Sequence, residues 1–92
     1  MSLSEDAVPR LLRGVRVAHD AVRKRDVLMA PERVFMLDPI GKAVLDRVDG
    51  RATFGSIVDA LAAAYNAPRD RIAEDAGKYI SGLIDRRMME AS

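Results

Sequence analysis

The junction Asp38-Pro39 does more than any other feature to limit how this chain can fold. On its N-terminal side the periodic segments alternate as strands do, and beyond it apolar residues recur at helical spacing. The change falls inside DVLMAPERVFMLDPIGKAVL, residues 26–45, where two short apolar runs flank Pro31 and then give way. An Asp at such a point can accept from the orphan N–H groups of a first helical turn, and a Pro directly after it has no N–H to lose. A sheet therefore comes first and helices second.

Upstream of the junction, VRVAHDAV alternates at Val15 and Val17, and RDVLMA and RVFML are rich in Val, Leu, Met and Phe. Between the last two lie Ala30, Pro31, Glu32 and Arg33, where Pro presets a turn dihedral and cannot donate to a ladder. The simplest arrangement is a meander of three antiparallel strands with residues 26–30 in the middle and residues 33–37 as an edge. Residues 1–12 show no period and read as a flexible arm, with order starting near Arg13-Gly14 and one domain over residues 13–90.

Downstream, Ile40, Val44, Leu45 and Val48 mark a first helix that Asp49-Gly50 punctuates. Thr53 is an N-cap candidate for a second, carried by Phe54, Ile57, Val58, Leu61, Ala62 and Tyr65 and broken at Asn66-Ala67-Pro68. A third helix is expected over residues 68–89, with Ile72, Ala76, Tyr79, Ile80 and Leu83 on one stripe and Ile84 and Met88 widening it. The fold class is α+β: a three-stranded antiparallel sheet followed by a three-helix bundle.

Little in the sequence offers chemistry. The chain has no Cys, which excludes disulfides, thiolate nucleophiles and zinc fingers and fits a reducing compartment, so a cytoplasmic location is expected. No apolar run approaches the roughly 20 residues of a membrane span or forms a signal peptide, so neither membrane nor secretion is expected. His19, the only histidine, stands beside Asp20 in a strand, where neighbours point to opposite faces; a half-exposed imidazole is the more economical reading than an acid-base pair. Glu74 and Asp75 are adjacent on a helix rather than one turn apart, which suits a solvated face better than a metal site. Neither an enzyme nor a metal or cofactor is expected.

The alternative is a helix-turn-helix nucleic-acid binder, because Arg69 and Arg71 open the third helix. Residues 68–90 carry five basic groups (Arg69, Arg71, Lys78, Arg86, Arg87) and five acidic ones (Asp70, Glu74, Asp75, Asp85, Glu90). That balance repels phosphate as much as it attracts it. With 15 Lys and Arg against 14 Asp and Glu in the whole chain, no nucleic-acid partner is expected. The run Arg23-Lys24-Arg25 is a solvated connection or a contact for an acidic partner.

Across residues 8–90 the sequence resembles the PqqD family of pyrroloquinoline quinone biosynthesis, namesake of peptide-recognition domains in ribosomal-peptide modification. The likeness rests on PRLLRGVRV, on VLMAPERVFML, on Asp49-Gly50 with Thr53, and on AEDAGKYISGLIDRRMM. DGRAT departs from the commoner Asp-Gly-x-Arg-Thr by placing Ala52 where Arg is usual. The resemblance implies a fold similar to a winged helix-turn-helix with its strands first. It implies no enzyme, but a chaperone that binds the precursor peptide PqqA and presents it to the radical S-adenosylmethionine enzyme PqqE. Strand addition would then place the peptide along Arg33, Val34, Phe35, Met36, Leu37 and Asp38, against a third-helix wall of Asp75, Lys78, Tyr79 and Gly82. Phe35, Leu37 and Tyr79 are each read more readily as core than as contact, so the strand as a unit is the firmer expectation.

Overall fold

The computed structural model describes residues 3–92, and its elements follow the order β1 (Pro9–Leu11), β2 (Arg16–Asp20), β3 (Arg25–Ala30), β4 (Arg33–Met36), α1 (Pro39–Leu45), α2 (Phe54–Tyr65), α3 (Arg69–Asp85) and β5 (Met89–Ala91). The expected meander is present: β2, β3 and β4 form an antiparallel sheet in that order, with Val17 opposite Leu28 and Leu28 opposite Phe35. Period-two alternation sends Leu28 and Phe35 to the helix side, where Leu28 is fully buried. Tight turns set this register. Asp20 Oδ1 accepts from the N–H groups of Val22 and Arg23 to shape the first hairpin, and Pro31-Glu32 makes the second.

The junction at residue 38 behaves as its chemistry requires. Asp38 Oδ1 accepts from Gly41 N–H at 2.6 Å, and Pro39 opens α1. Thr53 caps α2 through Ser56 N–H at 3.1 Å, and Asn66, at φ +50°, ends it in the left-handed region. The three helices pack on one sheet face around Val44, Ile57, Val58 and Ile80, each at most 1% exposed. No helix among the described residues is long and apolar enough to cross a membrane.

Three boundaries differ from the sequence expectation. α1 stops at Leu45, and its continuation is tight turns in which Arg47 N–H and Val48 N–H reach the carbonyls of Val44 and Leu45. α3 ends at Asp85 rather than near residue 89, because Arg87 takes φ +59° and the chain reverses. There Met88 N–H donates to Leu83 carbonyl and Arg87 N–H to Ile84 carbonyl, the paired closure of a Schellman motif with Arg where Gly is usual. The reversal buries Met88 and Met89 at 1% exposure each.

The third difference concerns residues 1–12. Met1 and Ser2 lie outside the described residues, but Pro9–Leu11 is a strand, β1, paired antiparallel with β5 in a separate two-stranded sheet. Order thus begins before Arg13-Gly14, and the arm is corrected to a strap over the described part. Val8 and Ser92 exchange backbone bonds of 3.0 and 3.2 Å. The carbonyls of Ala7 and Glu5 accept from Phe54 N–H and Gly55 N–H, two orphan donors at the start of α2.

Candidate functional site

Strand β4 is one of the two open edges of the three-stranded sheet, β2 being the other, and it is the one that lies beside α3; one hydrogen bond fixes which of its groups face outward. Leu37 N–H donates inward to Asp26 carbonyl at 3.0 Å. Antiparallel ladders alternate, so Phe35 and Arg33 also turn their N–H and C=O groups to β3, whereas Val34 and Met36 turn theirs away from the sheet. Among the described residues no strand pairs with that side. The side chains of Arg33, Phe35 and Leu37 share the helix-side face. Val34 and Met36 lie on the other, 54% and 49% exposed.

Helix α3 borders both ends of this edge. At one end Arg33 Nη2 donates to Arg86 carbonyl at 3.3 Å, while the Arg33 guanidinium rests 5.6 Å from the centre of the Phe35 ring. At the other, Tyr79 lies against the start of α1, and a Cβ at Gly41 would sit 2.7 Å from its hydroxyl. Only glycine leaves room there. Burial, then the Asp38 carboxylate, push the Tyr79 pKa up, with Arg86 opposing. Between these ends is Gly82, over which Arg86 folds back so that its Nη1 donates to Gly82 carbonyl at 3.1 Å.

The expected site residues therefore separate into groups. Of residues 33–38, Arg33–Met36 form the edge strand, Leu37 is still bonded to Asp26, and Asp38 turns away to cap α1; Tyr79 lies against the start of α1 and Gly82 against Arg86. Asp75, one turn before Tyr79, instead borders a hollow of about 270 Å³ between the helices, flanked by Ile40, Tyr65 and Ile72. Ile40 and Tyr65 were expected on buried stripes; they are 62% and 61% exposed at its mouth. Lys78 turns to Glu74, with Nζ to Oε1 at 3.1 Å on the solvent side. Arg86 was not among the expected residues, although its position four after Gly82 was the available signal.

Two other groups have different partners from those the sequence suggested. His19 Nδ1 meets Asp26 Oδ1 at 3.1 Å across the β2–β3 ladder rather than the adjacent Asp20, and its side chain is 61% exposed. Arg69 is held by two carboxylates, with Nη2 to Glu5 Oε1 at 2.6 Å and Nε to Asp59 Oδ1 at 2.5 Å. These bonds raise the Arg69 pKa and lower that of Glu5. Arg71 lies 4.0 Å from Asp75.

The model of the family "Coenzyme PQQ synthesis protein D (PqqD)" matches residues 26–89. The chain belongs to the PqqD family. It is 39% identical to the PqqA binding protein of Rhizobium meliloti over 88 residues, which cover 96% of this chain and 90% of that one. The bifunctional coenzyme PQQ synthesis protein C/D of Methylorubrum extorquens is 44% identical over 89 residues, 97% of this chain; the chain spans only 24% of that relative's length. The solution structure of the PqqD portion of Methylobacterium extorquens PqqCD, a functional stand-alone recognition element for ribosomally synthesized and post-translationally modified peptides, superimposes with a TM-score of 0.82. Its identity is 44%, over 97% of this chain and 95% of the other. In this chain β1 and most of β5 lie outside the residues matched by the family model.

Proposed function

We propose that this chain binds the ribosomally made precursor peptide PqqA by strand addition at β4 and presents it to the radical S-adenosylmethionine enzyme PqqE. The observation that carries this reading is the pair of outward backbone positions, Val34 and Met36, on an edge that α3 approaches at Arg86 and Tyr79. A peptide running antiparallel to β4 gains backbone hydrogen bonds from both residues, each net about 0.5–1.5 kcal/mol, while alternate side chains enter between strand and helix. The name of the Rhizobium meliloti relative and the role of the Methylobacterium extorquens domain support the same partner class. The helix-turn-helix alternative is weakened at its own residues, because Arg69 is already engaged by Glu5 and Asp59.

In this reading the chain performs no chemistry. PqqE carries the cofactor, and this protein supplies orientation and local concentration of the peptide.

Val34→Pro and Met36→Pro test strand addition. Proline is tolerated on an edge whose N–H faces away from the sheet, so both variants should keep their circular dichroism. Each loses an outward donor and sets a ring where the peptide backbone would lie, and affinity for PqqA should fall about tenfold, near 1.4 kcal/mol. Unchanged affinity in both folded variants would exclude addition at β4.

A further inference from the structure

Arg33 and Arg86 stand 53 positions apart in sequence, yet the fold brings them to one end of the β4–α3 groove. Each is fixed by a backbone carbonyl: Arg33 Nη2 by Arg86 and Arg86 Nη1 by Gly82. Among the described residues neither guanidinium has a carboxylate within ion-pair distance, although Glu32 and Asp85 are their immediate neighbours in sequence. A guanidinium has five N–H donors in a planar fork, so one bond to a carbonyl leaves most of them free. Two cations gathered without a counterion, at the mouth of a groove, are suited to receive an anion.

We infer that Arg33 and Arg86 form a clamp for a carboxylate side chain of the bound peptide, and that this clamp sets the peptide's register and direction. The inference rests on strand addition at β4 and adds the chemistry that is read there. Residues directly opposite one another in an antiparallel pair share a face. The peptide residue opposite Arg33 therefore projects to the helix side, beside both guanidiniums. The residues two and four earlier in the peptide lie opposite Phe35 and Leu37 and project into the apolar part of the groove, towards Tyr79. Read from its N-terminus, the recognised segment is apolar, any, apolar, any, acidic. At the opposite end the edge carries Asp38, which disfavours a carboxylate there. A peptide entering in the reverse direction sets its acid against that repulsion and leaves the clamp unfilled.

The test is a double-mutant cycle between Arg86→Gln and PqqA peptides in which each Asp or Glu is singly replaced by its amide. Amide spectra of the variant confirm the fold, and Arg33→Gln serves as the second variant if Arg86→Gln does not fold. Arg86→Gln should weaken unmodified PqqA about tenfold. One amide peptide should lose the same factor against the natural protein and lose nothing further against the variant. That carboxylate should be preceded at two and four positions by apolar residues. Additive losses at every carboxylate, or no loss at all while PqqA still binds the natural protein, overturn the clamp and leave strand addition standing. Failure of the natural protein to bind PqqA overturns both.

Discussion

At the scale of single residues, two glycines set the space beside Tyr79 and Arg86. Gly41 leaves space for the Tyr79 hydroxyl, and Gly82 has no heavy atom within 3.4 Å of a built Cβ except Arg86 Nη1 at 3.1 Å. That atom is the end of a flexible side chain, and the space beyond it is open. Gly82→Leu should therefore keep or raise the melting temperature, since Leu is a better helix former than Gly by up to about 1 kcal/mol. It should also displace Arg86 and fill the groove, so that PqqA affinity falls about tenfold or more. Unchanged affinity in the folded variant would move the wall elsewhere, and a lower melting temperature would contradict the open space. Helical glycines are visible in sequence as a cost without a cause. The cause at Gly41, a tyrosine 38 positions away, is tertiary and has no local pattern.

Among the elements, the ones with strong periods were legible and the ones held by distant backbone were not. The β3–β4 hairpin, the Asp38 and Thr53 caps and the α2 stripe follow from local residue types. The β1–β5 pair does not: each strand has three residues, too few to display a period, and the partners sit at opposite ends of the chain. The end of α3 was hidden similarly, because a left-handed Arg87 replaces the Gly that would have announced the reversal. The strap leading into β1 also carries an ionic contact, Glu5 on Arg69. Hydrogen bonding to Arg69 lowers the Glu5 pKa below its ordinary 4.5. A carboxyl whose folded value is depressed contributes stability that is complete above the unfolded value and is lost as pH falls through the folded one. Carboxyl resonances followed from pH 7 downward should place the Glu5 midpoint below 4.5, and Arg69→Met should return it towards that value. An unshifted midpoint in the natural protein would mean that the strap is not pinned there.

For the molecule as a whole, the order of strands first and helices second was readable from one junction, while the function was not readable from chemistry at all. No residue type announces an edge strand that accepts a peptide; Phe35, Leu37 and Tyr79 have the same appearance in a core. What separates the readings is the direction of backbone groups, a property of register rather than of composition. The hydrogen exchange of individual β4 amides with and without PqqA therefore tests the account most directly. At saturating peptide the N–H groups of Val34 and Met36 should slow about tenfold or more, whereas those of Phe35 and Leu37, already bonded to β3, should change much less. Unaltered exchange at Val34 and Met36 under the same saturation would contradict strand addition at this edge.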